Sequence, residues 1–150
     1  MELTSQLQIL LVEDNRGDAW LVRETLRQHV PSCQLSVVED GEQALTFLRQ
    51  EGAYTAAPRP DLLLLDLHLP KLDGRVVLRT LRASPEWKTL PVMILTGCLQ
   101  DADHQEAVAL GVVRCLQKPV HFKEYLALGE DIATWWQWRG LVPVGGDGNE

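Results

Sequence analysis

The sequence predicts a doubly wound α/β fold, and three observations carry that prediction. Apolar runs recur along the chain as Gln8-Ile9-Leu10-Leu11-Val12, Leu62-Leu63-Leu64-Leu65, Pro91-Val92-Met93-Ile94-Leu95 and the more mixed Val112-Val113-Arg114-Cys115-Leu116-Gln117. Such runs suit strands buried on both faces, the condition of a parallel sheet covered by helices. Stretches with helical spacing alternate with the strands through short links, as βα units require. Finally, each run ends on polar chemistry: Glu13-Asp14, Asp66, Thr96 and Lys118-Pro119. Ligand sites in open α/β sheets lie outside the carboxyl ends of the strands. These groups are therefore expected to converge on one edge.

In chain order, the first strand covers about residues 7–13, and Asp14 or Asn15 can cap the helix that follows. That helix spans about 16–29, with Ala19, Val22 and Leu26 on one face, and stops before Pro31. A second, partly alternating strand is Gln34-Leu35-Ser36-Val37-Val38, and Ala44, Leu45 and Leu48 mark a second helix that ends near Gly52. A long proline-containing loop, 53–60, leads into the third strand at 61–66. The turn Leu69-Pro70-Lys71-Leu72-Asp73-Gly74 then opens a third helix carrying Val76, Val77, Leu78 and Leu81. The fourth strand follows Pro91, a polar acidic helix covers 100–110, the fifth strand is 112–117, and a long last helix spans about 121–138.

A chain of 150 residues is expected to form one domain, 1–150, with its core at about 7–138 and a tail at 139–150. With about a dozen residues after the last helix, no separate output domain is expected. No apolar run approaches the roughly 20 residues of a membrane span, and the N-terminus lacks the basic start of a signal peptide. Cys33, Cys98 and Cys115 are odd in number and lack metal-ligand or redox spacing, so they are expected to be buried thiols in a reducing cytoplasm. A net charge of −7 argues against nucleic-acid binding.

Taken singly, the polar strand ends have plain structural explanations as caps, turns and strand exits. As a set they suit phosphoryl transfer. Mg²⁺ is a hard cation served by one or two carboxylates, retained waters and a phosphoryl oxygen. Asp14 and Asp66 could supply the carboxylates, with Glu13 reaching the ion through water. A carboxylate can also act as nucleophile and become an aspartyl phosphate. Lys118 would neutralise the transferred group and the Thr96 hydroxyl would donate to it, so catalysis here is positioning and electrostatics. Three acids crowded without metal predict coupled titration, with at least one pKa raised.

Leu11-Val12-Glu13-Asp14-Asn15, Leu65-Asp66-Leu67-His68-Leu69-Pro70, Asp73-Gly74, Leu95-Thr96-Gly97 and Lys118-Pro119 resemble the receiver domain of bacterial response regulators over about residues 7–138. The resemblance implies a five-stranded flavodoxin-like sheet in the order 2-1-3-4-5. It also implies that Asp66 is the phosphoacceptor, Glu13 and Asp14 are the acidic pocket, and the His68 backbone carbonyl is a further Mg²⁺ ligand. Thr96 and Lys118 would contact the phosphoryl group, and Lys118-Pro119 would be a cis bond. The donor would be a histidine kinase, and the chain would catalyse only its own phosphorylation and dephosphorylation. Asp14-Asn15-Arg16-Gly17-Asp18, Phe47-Leu48-Arg49-Gln50-Glu51-Gly52-Ala53-Tyr54 and Pro58-Arg59-Pro60-Asp61 are similar to the single-domain regulators paired with bacterial phytochromes. Those regulators are often dimers through the last helix and strand.

Two features depart from the family pattern. The switch position three residues before the lysine usually holds a Tyr or Phe ring; here it is Cys115, expected to pack under the fourth helix. Near the C-terminus, Trp136 continues an expected core stripe of Phe122, Leu126, Gly129 and Ala133. Trp135 and Trp138 fall off that stripe, about 60° apart from each other. They are expected in a homodimer interface with the fifth strand and Leu141-Val142-Pro143-Val144. Two other functions compete. A receiver-like scaffold without switching is supported by Cys115 but opposed by the complete acid, threonine and lysine set. A phosphohydrolase of the haloacid-dehalogenase type needs a second Asp two residues after the nucleophile, where this chain has His68.

Overall fold

The computed structural model describes residues 6–97, 100–119 and 121–139. The apolar runs become five strands: β1 (Gln8–Val12), β2 (Gln34–Val38), β3 (Leu62–Leu65), β4 (Val92–Thr96) and β5 (Arg114–Gln117). Five helices alternate with them: α1 (Arg16–His29), α2 (Gly41–Leu48), α3 (Gly74–Ala83), α4 (Asp101–Ala109) and α5 (Phe122–Trp138). Every strand pairing is parallel and the order is β2-β1-β3-β4-β5, the expected doubly wound, flavodoxin-like sheet.

The continuous apolar runs follow from burial of the central strands on both faces. Successive side chains of a strand point to opposite faces, and Leu62 to Leu65 divide accordingly. Leu63 and Leu65 join Val77, Leu78 and Leu81 of α3, Ala44 and Phe47 of α2 and Ala107 of α4. Leu62 and Leu64 join Val22 and Leu26 of α1 with Tyr125, Leu128 and Ile132 of α5. α1 begins where Asn15 accepts a hydrogen bond from the Asp18 backbone N–H, and α3 where Asp73 accepts one from Arg75. Gly74 is needed at the start of α3, since a Cβ there would lie 2.2 Å from the Asp66 carbonyl oxygen. The helix can therefore pack directly on the backbone that carries Asp66.

Several expectations need correction. The loop before β3 contains a 3₁₀ turn, Gly52–Tyr54, and β5 pairs over a shorter span than 112–117. The buried stripe of α5 is Tyr125, Leu128, Gly129 and Ile132, while Phe122 is 45% exposed. This stripe leads to Trp135 and Trp136 together, and both pack against the α1/α5 core. Trp135 is therefore partly covered by its own chain rather than lying off the core, whereas Trp138 stays 53% exposed. Nor is the Lys118–Pro119 bond cis, since the described residues contain no cis peptide bond. The trans form is the one the X–Pro bond intrinsically favours. Cys115 packs, as expected, against the core beneath α4. Cys98 and the segment 141–144 lie outside the described residues. None of the described helices is long and apolar enough to cross a membrane.

Candidate functional site

The carboxyl edge of the sheet collects residues from four strands and the loops after them. Glu13 and Asp14 follow β1, Asp66 follows β3, Thr96 ends β4 and Lys118 follows β5. Backbone ladders fix their relative heights. Asp66 N–H donates to the Val12 carbonyl at 3.3 Å, and Lys118 N–H donates to the Thr96 carbonyl at 2.7 Å. Oxygens of Glu13, Asp14 and Asp66 all lie within 4.8 Å of one another. Glu13 is 2% exposed and Asp66 5%, while Asp14 is open to solvent.

Lys118 is the cation that holds these acids together. Its Nζ lies 2.6 Å from Glu13 Oε1, 3.0 Å from Asp66 Oδ2 and 3.0 Å from Asp18 Oδ2. Burial alone would depress the lysine pKa, but hydrogen bonds to Glu13, Asp66 and Asp18 outweigh it and hold the ammonium above the usual range. Asp66 Oδ1 accepts from the His68 backbone N–H at 3.0 Å, and Glu13 Oε2 accepts from the Asn15 backbone N–H at 3.0 Å. Glu13 is raised above the ordinary carboxylate range. Desolvation is the main cause, opposed by Lys118 and Asn15; the Asp66 charge adds least. A raised acid was expected from crowding, but burial does most of the raising.

This donor set fits a hard divalent cation. Carboxylate oxygens are what Mg²⁺ and similar ions prefer, and the three converge where a single ammonium faces an excess of acid. The Thr96 hydroxyl is fully buried at the same edge and has no hydrogen-bond partner among the described residues. A buried hydroxyl left unpaired is costly and marks room for an acceptor. Cys115 is half-buried, its thiol pKa raised by burial.

Sequence reasoning about the site missed Asp18 and Tyr125. Asp18 Oδ1 accepts from the Tyr125 hydroxyl at 3.2 Å while its other oxygen takes Lys118. The available signal was weak: an acid in the first turn of a helix that starts beside the pocket.

The response regulator receiver domain model matches residues 9–128. Response regulator Rcp1 of Synechocystis sp. is 39% identical over 136 residues, covering 91% of this chain and 92% of that protein. The crystal structure of the phosphorylated cyanobacterial phytochrome response regulator RcpA superposes with a TM-score of 0.82 at 36% identity, covering 89% of this chain and 95% of that one. The Mn²⁺-bound form of Rcp1 gives 0.80 at 38% identity, covering 87% and 94%. By sequence and by fold, the chain belongs to the response regulator receiver family of two-component signalling proteins.

Proposed function

We propose that the chain is a single receiver domain that accepts one phosphoryl group on Asp66 from a histidine kinase of the phytochrome type, with Mg²⁺ bound at the acidic edge. The observation that carries this reading is the buried Asp66 carboxylate, held between Lys118 and the His68 backbone N–H and next to two further acids. The ion would be held by Asp14, Asp66, the His68 carbonyl and, through water, Glu13; when bound, it neutralises charge on the phosphoryl oxygens. Asp66 is the nucleophile. An Asp66 carboxylate oxygen forms a bond to phosphorus as the bond from phosphorus to the donor's imidazole nitrogen breaks, and that imidazole keeps the electron pair. Lys118 neutralises the incoming oxygens, and the unpaired Thr96 hydroxyl donates to one of them. The chain does not act on a separate substrate. Similarity to the cyanobacterial phytochrome response regulator RcpA supports the phytochrome pairing, and the free thiols Cys33 and Cys115 among the described residues suit the cytoplasm.

We further propose a homodimer built on α5, the edge strand β5 and the tail 139–150, with Trp138 as its aromatic anchor and Trp135 at its margin. Exposed Trp138 and Phe122 on one helix favour it.

Incubation with acetyl phosphate and Mg²⁺, read by intact mass, tests the main reading. One phosphoryl adduct is expected, absent in Asp66→Asn and absent when the metal is chelated. Uptake by Asp66→Asn at the wild-type rate would overturn the assignment.

A further inference from the structure

Lys118 has one partner outside the motif that defines the pocket, the Asp18 carboxylate on the first turn of α1. That carboxylate is shared: Oδ2 takes the ammonium at 3.0 Å and Oδ1 takes the Tyr125 hydroxyl at 3.2 Å. Tyr125 is buried on α5. One turn further along, a Cβ on Gly129 would lie 2.5 Å from Thr25 Oγ1 and 2.7 Å from the Thr25 carbonyl oxygen. The absent side chain lets α5 lie against α1, which brings the tyrosine to the aspartate. A continuous polar chain therefore runs from Asp66 through Lys118 and Asp18 to Tyr125, at the α1–α5 interface.

We infer that Asp18 is a positioning residue that competes with phosphorylated Asp66 for the Lys118 ammonium and, through Tyr125, conveys the outcome to the α1–α5 interface. This rests on Asp66 being the phosphoacceptor. An ammonium has three N–H donors, and three carboxylates surround it here. A phosphoryl group brings nearly two negative charges and three strong acceptor oxygens, so the ammonium must give up a partner to serve it. Glu13 is the partner hardest to release, because it is almost fully buried and bulk water cannot take the place of the lysine there. Asp18 is half-exposed and water can replace the lysine there. Release of Lys118 leaves Asp18 anchored by Tyr125 alone. The 3.2 Å hydrogen bond puts the two groups in direct contact, and burial first, then the Asp18 charge, push the Tyr125 hydroxyl pKa up to about 12. Cys115 carries no ring to move at the switch position, and the Asp18–Tyr125 pair offers this chain a route out of the site.

The test uses the full chain labelled with ¹³C at tyrosine Cζ. The sequence holds two tyrosines, so Tyr125→Phe assigns the signal. In the metal-free protein, Lys118→Met should shift the Tyr125 resonance, and the same change on an Asp18→Asn background should not. No shift, or an equal shift in both backgrounds, overturns the relay whatever the phosphoryl chemistry. With Mg²⁺ and beryllofluoride as phosphoryl mimic, followed by ¹⁹F resonance, Asp18→Asn should bind about tenfold tighter than wild type, equivalent to about 1.4 kcal/mol. The gain should vanish on a Lys118→Met background. Affinity unchanged or weakened by Asp18→Asn, or a gain that survives loss of Lys118, overturns the competition. A wild type that binds no beryllofluoride overturns the competition together with the phosphoacceptor reading. It differs from failure of Asp18 alone, in which the wild type binds and Asp18→Asn binds no better.

Discussion

Two networks of acids and bases in this molecule are balanced in opposite ways. At the carboxyl edge of the sheet, Lys118 faces Glu13, Asp18 and Asp66, with Asp14 close by. On the α3–α4 side, Arg75, Arg79 and Arg82 lie at helical spacing and each has its own partners. Arg75 donates to Asp73 at 2.9 Å and to Asp103 at 3.0 Å, and Arg79 pairs with Glu106 at 2.8 Å through its second nitrogen. Arg82 donates to the backbone carbonyls of Leu110 at 2.6 Å and Leu90 at 2.8 Å.

The pKa directions record the difference. Asp73 and Glu106 are lowered, chiefly by hydrogen bonds from Arg75 and Arg79, whereas Glu13 is raised, chiefly by burial. Matched pairs fasten α4 to α3. Unmatched buried acids hold charge that the fold alone does not neutralise, and such perturbed groups mark functional sites.

The strongest way to break this comparison is to remove a cation from each region. Lys118→Ala should leave far-UV CD unchanged and abolish the conformational response to beryllofluoride, since in the proposed function the lysine reads the phosphoryl charge. A full response in that variant would dissolve the distinction. Arg82→Met should do the reverse. It leaves the part-buried Leu90 and Leu110 carbonyls without their guanidinium and should cost about 1–2 kcal/mol of stability in urea, with phosphoryl uptake at Asp66 unchanged. A loss below about 0.5 kcal/mol would show that water replaces the guanidinium without penalty.

The smallest effects are in pH dependence, where the two regions should have opposite signs. An acid with a raised folded-state pKa loses its stabilising contribution as pH rises from its unfolded value through the folded one. Glu13→Gln should therefore raise the metal-free melting temperature by about 1–2 °C near pH 8, the gain fading as the solution is acidified. An acid with a lowered pKa contributes above its unfolded value and loses that contribution as pH falls through the folded one. Glu106→Gln should thus cost a little at neutral pH and nothing well below the ordinary carboxylate range. The same sign in both variants would refute the contrast.

The legible parts of the sequence are those where burial leaves no choice. β3 reads as a strand because both its faces are covered and all four of its residues are leucine. β5 is less clear, since this edge strand leaves Arg114 and Gln117 exposed. On α5 two apolar stripes compete, Phe122-Leu126-Ala133 and Tyr125-Leu128-Ile132, and periodicity alone does not choose between them. Packing against α1 through Gly129 selects the second and carries Trp135 inward. The acids, threonine and lysine are legible as a set because each terminates a strand. Asp18 is not, because its partner Lys118 lies 100 residues away and an acid in a first helical turn is explained by the helix dipole alone. Arg75 and Arg79 of α3 meet Asp103 and Glu106 only once α4 is placed beside them.

The central claim, that the unbalanced acids at the sheet edge form the divalent-metal site and the matched pairs on α3–α4 do not, is tested most directly by thermal unfolding with and without Mg²⁺. Saturation at about 100 times the dissociation constant should stabilise the wild type by about 2.7 kcal/mol. Glu106→Gln should show the same gain, and Asp14→Asn most of its loss. A wild type whose melting temperature ignores Mg²⁺, or an Asp14→Asn variant stabilised as much as the wild type, would contradict the account.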